Sequence, residues 1–376
     1  MANKIDPLIR LTADNSGETK CVVLATDYDE AKRGLKPYVS RIVKHFPFIS
    51  GFGALVHVHR LEDIVRLPFV KAISAHTTVH AALNRSRGRI GAEKLFLEGM
   101  YGAGVTAAVI DTGVSPHLDF CLPRYRIRAF EDFVDGAPTA YDDNGHGSAV
   151  ASILLGNGLR SAGLYRGIAP KTELVALKAM DGNGEGSAFH ILEAMQWIYL
   201  HRETHNIRVA CMSFGTAPLP DEDPLILGAE VLWNSGITVV ASAGNAGPAG
   251  RTITSPGASP RVITVGGAGF TDGKPYVAKF SSRGPVNELN KPDLVAPAVD
   301  ISCCDPFGDY TVLSGTSMST PIVAGLAAQV LSKKPGYTPD RVKEVLTGAV
   351  KKLDFPPNEC GCGLVDCGEL LKKLKP

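Results

Sequence analysis

The strongest constraint on the fold is a regular alternation of strand-like and helix-like runs that begins near residue 90. The strand-like runs are short, apolar and rich in β-branched residues: VTAAVIDTG, TELVALKAM, IRVACMSFG, ITVVASAGN and RVITVGG. Helix-like runs accompany them, including GSAVASILLG, SAFHILEAMQWIYLH, DPLILGAEVLWNSG and MSTPIVAGLAAQVLSKK. Alternation at this spacing predicts an α/β fold built on a doubly wound, mostly parallel sheet.

A different pattern precedes it and predicts a second, smaller α+β unit. KCVVLAT, ALVHVHR and FVKAISAHTTVHA are predicted strands, whereas DYDEAKRGLKPYVSRIV and LEDIVRLP are predicted helices. The basic, glycine-containing segment NRSRGRIGAEK then has the composition of an exposed linker. We therefore divide the 376 residues into an N-terminal extension (1–19), a small unit (20–80), a linker (81–91) and a large domain (92–376).

Charge and hydropathy argue against two classes of partner. The 39 Lys and Arg residues nearly balance the 38 Asp and Glu residues, so we expect no nucleic-acid partner. No apolar run reaches the roughly 18 residues that span a bilayer, so we expect no membrane partner either.

The first 20 residues lack the apolar core of about 7–15 residues found in a signal peptide. A chain that natively starts at Met1 is therefore expected in the cytoplasm, and secretion is expected only if Met1 is not the native start.

The eight cysteines are expected to be free thiols, because disulfides are rare in the cytoplasm. The adjacent Cys303 and Cys304, and the segment CGCGLVDC near the C-terminus, leave metal binding as the alternative. Only Cys362 and Cys367 have the spacing of a zinc-ligand pair, and the usual second pair is missing.

Polar residues follow three of the predicted strands. Asp111 follows VTAAVI, Ser213 follows IRVACM and Asn245 follows ITVVASAG. In open parallel sheets, functional groups gather beyond the carboxyl ends of the strands. These three residues are therefore candidates for one site.

Ser317 lies in a Gly-Thr-Ser turn directly before a long apolar helix pattern. A serine hydroxyl is a weak nucleophile unless a base takes its proton, and that base is commonly a histidine oriented by a carboxylate. His146, between two glycines at a predicted helix start, and Asp111 supply these groups, and the order Asp-His-Ser is one of the known triad orders. Each motif alone has an ordinary explanation as a turn, a helix start or an N-cap. Together they favour nucleophilic catalysis.

Acyl transfer also needs hydrogen-bond donors for the negative charge that develops on the carbonyl oxygen. Asn245 offers a side-chain amide from a glycine-flanked turn, and Ser317 offers a backbone N–H at a helix start. We expect Pro321 to lie in the first turn of that helix, where a missing N–H costs little.

Seven motifs resemble those of the subtilisin family of serine proteases, in the family's order over residues ~90–370: VIDTGV, NGHGSAVAS, MSFG, ASAGNAGP, FSSRGP, KPDLVAPAV and GTSMSTPIVAG. The resemblance implies a serine endopeptidase with Asp111, His146 and Ser317 as its triad. It implies that Asn245 completes the oxyanion hole. Residues 20–80 resemble the family's ferredoxin-like, inhibitor-type prodomain, which implies a self-processing zymogen inhibited by its own prodomain. The intracellular, AprX-like branch is the most similar.

The resemblance also implies where substrate binds. DGNGEGS (181–187) and MSFG (212–215) resemble two edges that pair with an extended peptide, and TITSPG (252–257) resembles the floor of the pocket before the cut. The candidate residues are Gly184, Glu185, Gly186, Ser213, Phe214, Gly215 and Thr254. Phe214 either reshapes the pocket, where the family often has Leu, or packs in its wall. Glu185 either favours basic side chains in the substrate or is a solvated loop charge.

Two departures from the family pattern bear on the chemistry and on cofactors. The family usually has His-Gly-Thr where this chain has His146-Gly147-Ser148, which keeps a hydroxyl. The segment 156–164 is short where many secreted relatives fold a calcium loop, and it contains no carboxylate for calcium. We expect no cofactor for the chemistry and no catalytic metal, with a structural calcium left open.

Two alternatives to an active peptidase remain at this point. One is a non-catalytic regulator that keeps the fold as a binding module, which the intact motifs argue against. The other is a latent peptidase whose prodomain is released only by a partner. For an active zymogen, we predict self-cleavage between about His80 and Asn84, where the small unit ends and the basic segment begins.

Overall fold

The computed structural model describes residues 4, 5, 9, 17–75, 86–218 and 223–375. Packing divides the chain into two compact units, Met1–Ala81 and Ala82–Pro376. The predicted self-cleavage site between His80 and Asn84 lies outside the described residues.

The first unit is an antiparallel sheet with short helices. Its strands are β1 (Glu18–Ala25), β2 (Arg41–Phe46), β3 (Gly51–His57) and β4 (Val70–Ala75), and its α-helices are α1 (Tyr28–Gly34) and α2 (Leu61–Val65). The strand order is β2-β3-β1-β4. Alternate residues of β1 and β3, such as Val23, Ala54 and Val56, are buried, and they pack with Leu35 and Ile64 in a core of their own.

The predicted helix over residues 27–43 is wrong in its second half. α1 ends at Gly34, and residues Ile42 and Val43 lie in β2, which the sequence analysis did not predict. Pro37 lies just past the helix end, where its missing N–H and fixed φ prevent the helix from continuing. The β-branched residues beyond it favour a strand.

The second unit contains the alternating elements that the sequence predicted. Its strands are β5 (Thr106–Asp111), β6 (Ile127–Asp132), β7 (Glu173–Lys178), β8 (Ile207–Met212), β9 (Thr238–Ser242), β10 (Ile263–Thr271), β11 (Lys274–Val277), β12 (Leu294–Pro297), β13 (Ile301–Cys304), β14 (Tyr310–Leu313), β15 (Val350–Lys351) and β16 (Leu364–Val365). Its helices are α3 (Ser86–Arg89), α4 (Glu93–Leu97), α5 (Leu118–Cys121), α6 (His146–Leu155), α7 (Ala188–His201), α8 (Pro224–Asn234), α9 (Thr316–Lys333), α10 (Pro339–Thr347), α11 (Pro357–Cys360) and α12 (Cys367–Leu374).

The central sheet of this unit has the order β15-β16-β12-β10-β9-β8-β5-β7-β6, and β11 adds to β10. Its pairs are parallel from β6 through to β16, whereas β11 and β15 pair antiparallel to their neighbours. β13 and β14 form a separate antiparallel hairpin. The predicted α/β class with a doubly wound, mostly parallel sheet is therefore confirmed.

The strand order reverses beside β5, because the chain first adds β6 and β7 on one side and then β8 and β9 on the other. The crevice at such a reversal is where open α/β sheets bind ligands. Asp111 is the last residue of β5, and Ser213 directly follows β8, so both lie at this edge.

Helix α9 is buried on nearly all sides. Every residue from Met318 to Leu331 is buried, and the helix packs against α6 and against β8, β9, β10 and β12. Gly325 permits one of these close approaches, because a Cβ there would lie 2.6 Å from Cβ of Ile168. No helix in the described part of the chain has the length and apolar character needed to cross a membrane.

Candidate active site

Asp111 and His146 form a hydrogen-bonded pair at the carboxyl edge of the sheet. Nδ1 of His146 lies 2.7 Å from Oδ1 of Asp111. The carboxylate is buried, with 1% of its side chain exposed, whereas 28% of the His146 side chain is exposed. The imidazole therefore connects a buried anion to the surface of the site, and its Nδ1–H donates to that anion.

A second carboxylate, Asp142, holds the turn that precedes His146. Its Oδ1 accepts hydrogen bonds from the backbone N–H of Gly145 at 2.8 Å and from Oγ1 of Thr112 at 2.8 Å. Its Oδ2 accepts the N–H of Ser148 at 2.8 Å. Asp142 thus satisfies first-turn donors of α6 from within the loop, as an N-cap does. Asp142 was not among the predicted site residues, although its position four residues before the histidine in DDNGHG is a signal for such a turn.

Gly147 allows α6 to approach the strand end that carries Asp111. A Cβ at Gly147 would lie 2.1 Å from the carbonyl oxygen of Gly113, so a larger residue would displace the start of the helix. The backbone N–H of Gly147 donates to Oγ1 of Thr112 at 2.9 Å. The Ser148 hydroxyl accepts the N–H of Ser115 at 2.9 Å, so the retained hydroxyl has a structural use.

The charge distribution keeps His146 basic. Burial lowers the pKa of His146, but the charge of Asp111, the hydrogen bond between them and the charge of Asp142 outweigh it, so the pKa lies above its usual 6.5. A raised pKa makes the imidazole a stronger base for taking a proton.

Ser317 is the second residue of α9, and its hydroxyl is bound to the end of β8. Oγ of Ser317 donates to the carbonyl oxygen of Ser213 at 2.9 Å, and Oγ of Ser213 donates to the carbonyl oxygen of Ser317 at 3.1 Å. The two serines therefore exchange hydrogen bonds across the switch point of the sheet.

The placement of Pro321 in the first turn of α9 is wrong. The helix begins at Thr316, so Pro321 lies in its second turn. There its missing N–H leaves the carbonyl of Ser317 without its helical partner. The hydroxyl of Ser213 fills that vacancy, and the bond from Ser213 thus has a physical cause in the position of the proline.

Asn245, in the loop after β9, faces the same helix start. Its Oδ1 accepts hydrogen bonds from the backbone N–H of Thr316 at 2.9 Å and from Oγ1 of Thr316 at 3.0 Å. A backbone N–H can only donate, so it must face the amide oxygen, and Nδ2 is left as a donor on the other side. A Cβ on Gly315 would lie 3.4 Å from Nδ2 of Asn245 and 3.9 Å from the backbone N of Ser317, so both donors flank Gly315.

A cleft of about 480 Å³ begins at His146. Five of the seven predicted substrate-binding residues line it: Gly184, Gly186, Ser213, Phe214 and Gly215. Phe214 lines the cleft and also packs against the core. Its position therefore fits both alternatives, shaping the pocket and packing in its wall.

The other two predicted substrate-binding residues lie beside the described lining of this cleft. Thr254 packs against Gly215, because a Cβ added to Gly215 would lie 2.1 Å from Oγ1 of Thr254. Glu185 is exposed, and its own backbone N–H donates to Oδ1 of Asp181 at 3.0 Å.

A buried lysine, which the sequence analysis also missed, braces the loops behind Asp111. Nζ of Lys178 lies 2.6 Å from Oδ1 of Asp143 and donates to the carbonyl oxygens of Thr112 at 2.8 Å and Met180 at 3.0 Å. It therefore joins the end of β5, the loop before His146 and the start of the 181–187 segment. The sequence signal that could have identified Lys178 is a lysine within the otherwise apolar run TELVALKAM.

The described cysteines form no disulfide, and all eight are free. Near the C-terminus, Cys360 and Cys367 are buried whereas Cys362 is exposed. The structure does not bring Cys362 and Cys367 into a metal-binding group. Within the described residues, the His, Cys, Asp and Glu side chains that meet in such a group are His117, Asp119 and Cys304.

Comparison with known proteins agrees with this geometry. The sequence model of the Subtilase family, peptidase family S8, matches residues 102–363. The serine protease AprX of Bacillus subtilis is 38% identical over 326 residues, which cover 79% of this chain and 73% of AprX. The thermostable alkaline protease of Halalkalibacterium halodurans is 30% identical over 349 residues, 92% of this chain and 90% of that protein.

Solved structures show the same relationship. A psychrophilic protease, S41, superposes with a TM-score of 0.63 at 28% identity, covering 72% of this chain and 96% of its own. A cold-adapted subtilisin-like serine proteinase gives a TM-score of 0.59 at 30% identity, covering 71% of this chain and 88% of its own. From the family match, the identities and the shared fold, this chain belongs to the subtilase family of serine proteases.

Proposed function

We propose that the protein is a serine endopeptidase in which Asp111, His146 and Ser317 form the catalytic triad. The observation that carries this proposal is the 2.7 Å contact between Nδ1 of His146 and the buried Oδ1 of Asp111 at the switch point. That bond leaves Nε2 of His146 as the nitrogen able to accept a proton. The Ser317 hydroxyl is anchored to Ser213, which lines the same cleft as His146.

In the proposed reaction, His146 takes the proton of Ser317 while Oγ attacks the substrate carbonyl carbon. Asp111 holds the imidazole in the productive tautomer and stabilises the imidazolium. His146 then protonates the leaving amine, and the acyl-enzyme is hydrolysed by a water that His146 activates in the same way. In the free site the Ser317 hydroxyl donates to the Ser213 carbonyl, so this bond must break before attack.

Substrate binding offers a way to break that bond. A peptide that adds as a strand along residues 213–215 presents an N–H to the carbonyl of Ser213 and competes with the Ser317 hydroxyl for it. The segment that contains Gly184 and Gly186 lines the same cleft, and we propose that it supplies the second edge. We therefore propose extended peptides and unfolded protein segments as substrates.

The negative charge that develops on the substrate oxygen is proposed to be stabilised by two donors. These are Nδ2 of Asn245 and the backbone N–H of Ser317, which flank Gly315. Because Thr316 fixes the amide oxygen of Asn245, the donor is oriented before the substrate arrives.

We also propose that the chain is made as a zymogen whose first unit is an inhibitor-type prodomain, followed by a processing linker over residues 81–91. In support, that unit has its own core and its own antiparallel sheet, as a separately folding inhibitor requires. A latent peptidase that depends on a partner for activation is the second candidate, and it is separated from the first by the processing experiment below.

We propose that no cofactor takes part in the chemistry and that the segment 156–164 is a poor calcium site. Oδ1 of Asp119, the carboxylate that faces this segment, accepts the backbone N–H of Arg160 at 3.1 Å. The guanidinium of Arg160 lies 3.8 Å from Oδ2 of Asp309, so this second carboxylate is already paired with a cationic side chain. Calcium takes six to eight oxygen ligands, and the segment 156–164 itself contributes no carboxylate to them.

A cytoplasmic location stays a prediction. The eight free thiols are the form that a reducing compartment maintains, which supports it.

Ser317→Ala is expected to abolish peptide hydrolysis while leaving the fold intact. The expected loss of kcat is about 10⁶-fold, as found for a subtilisin. A fluorophosphonate probe should label the parent stoichiometrically once the first unit is removed, and it should not label the variant. Circular dichroism should show that the variant is folded. Absence of labelling in the folded, processed parent would instead favour a non-catalytic regulator.

Asn245→Ala is expected to lower kcat by about 10²–10³-fold with little change in KM, the size found when one such donor is removed from a subtilisin. The donor acts mainly on charge that is present only in the transition state. Steady-state kinetics on a chromogenic peptide measures both constants. A raised KM at constant kcat would assign Asn245 to substrate binding instead.

Asp142→Ala is expected to lower kcat by about 10²-fold, because the turn that positions His146 loses its internal acceptor. The charge of Asp142 also raises the pKa of His146. Activity requires neutral His146 and so rises as pH passes through this pKa. The acidic limb of the kcat/KM profile should therefore move to lower pH in the variant.

The matched control is Asp354→Ala, which removes an exposed carboxylate. It should change neither kcat nor the position of the limb. A limb that stays in place in Asp142→Ala would contradict the electrostatic part of this argument.

Freshly purified wild-type protein is expected to consist of two fragments separated between about His80 and Asn84. The Ser317→Ala variant should show only the intact 376-residue chain. Intact-mass spectrometry distinguishes the two. Cleavage at the same bond in the variant, with contaminating proteases excluded, would refute self-processing. An active wild type that is never cut would favour the latent peptidase.

A further inference from the structure

Three potential metal ligands meet where α5 packs against the β13–β14 hairpin. They are His117 and Asp119 at the start of α5 and Cys304 at the end of β13. Their nitrogen, oxygen and sulfur atoms all lie within 4.8 Å of one another. At most 2% of the surface of each residue is exposed. The proposed catalytic triad uses none of them.

The distances within this cluster are close to those between the ligand atoms of a bound metal ion. Sγ of Cys304 lies 3.3 Å from Nδ1 of His117 and 3.8 Å from Oδ2 of Asp119. Nδ1 of His117 lies 3.9 Å from Oδ1 of Asp119. A tetrahedral zinc ion with a sulfur ligand at about 2.3 Å and nitrogen and oxygen ligands at about 2.0–2.2 Å separates its ligand atoms by roughly 3.3–3.6 Å. The Sγ–Nδ1 distance already falls in this range. The two distances to Asp119 are longer and end on different oxygens, so the carboxylate must move to bring one oxygen close to both other ligand atoms.

The carboxylate and the thiol are held by surrounding groups. Oδ2 of Asp119 accepts the hydroxyl of Tyr310 at 2.8 Å, and its Oδ1 accepts the N–H of Arg160 at 3.1 Å. The backbone N–H of Cys304 donates to Oγ of Ser152 at 2.9 Å. Such partners orient ligands in metal sites. One thiolate and one carboxylate would also neutralise a divalent cation, so the occupied site would bury no net charge.

We propose that Nδ1 of His117, a carboxylate oxygen of Asp119 and Sγ of Cys304 bind one thiophilic divalent cation of the zinc type. Binding forms a metal–sulfur bond and releases the thiol proton to solvent, with no change of oxidation state. The lone pair of Nδ1, which accepts the N–H of Asp119 at 3.1 Å, is given to the metal. The soft sulfur ligand distinguishes this site from a calcium site, whose ligands are oxygens.

The proposed ion would join two segments that lead to the catalytic residues. α5 follows shortly after Asp111 in the chain, and β14 runs directly into the turn before Ser317. Metal binding would therefore cross-link the supports of the triad and stabilise them. The chemistry of the triad does not require it.

The experiment uses the full-length Ser317→Ala protein, which is not expected to digest itself. Titration with Co²⁺ under anaerobic conditions should saturate at one ion per chain and produce an intense thiolate-to-metal absorption band. Zn²⁺ should displace the cobalt, and it should raise Tm of the metal-free protein by several degrees. In Cys304→Ser the band should be absent. In the matched controls Cys303→Ser and Cys362→Ser it should persist.

A second variant, His117→Asn, tests the site even if Cys304→Ser does not fold. His117→Asn keeps a side-chain oxygen that can cap α5 through the N–H of Asp119, but removes the imidazole ligand. It should stay folded by circular dichroism and bind Co²⁺ about 100-fold more weakly or worse, since loss of an outer partner alone costs up to about that much. A folded parent without a thiolate band, or a band that survives in Cys304→Ser, would overturn the proposal.

Discussion

The burial of α9 is the constraint on which the rest of the large unit depends. A helix enclosed along Met318–Leu331 needs a sheet on one side and other helices around it, and the α6 helix is one of its main neighbours. Because protein interiors are packed as densely as organic crystals, the start of such a helix cannot shift without disturbing the core. Ser317 at the start of α9 and His146 at the start of α6 are therefore placed by the same packing.

The sequence was sufficient to predict the architecture of this unit because its signals are strong and local. β5 is buried along its whole length and β8 at every position except Arg208, and both strands are dominated by apolar residues. Parallel strands end at one edge, so the order of the elements alone assigns the residues after successive strands to a common site. Asp111, Ser213 and Asn245 are predicted to share a site on this basis, and the structure places all three at the carboxyl ends of neighbouring strands.

Features that depend on contacts between distant or backbone groups were not predictable in this way. The partners of Asp142 are mostly backbone N–H groups, which no side-chain pattern reveals. Cys304 and His117 are 187 residues apart, so attention to cysteine spacing pointed to the C-terminal cysteines instead. The strand β2 was missed because Ile42 and Val43 fall at helical spacing from Leu35, and only the tertiary pairing with β3 decides their conformation.

The position of Pro321 has an evolutionary consequence. Its missing N–H and the hydroxyl of Ser213 are two halves of one arrangement around the Ser317 carbonyl. Replacing the proline alone would introduce a donor where one already exists, and replacing the serine alone would leave a carbonyl unsatisfied in the helix. The two positions are thus expected to be epistatic, so that a change at one alters which residues are tolerated at the other, although 108 positions separate them in the chain.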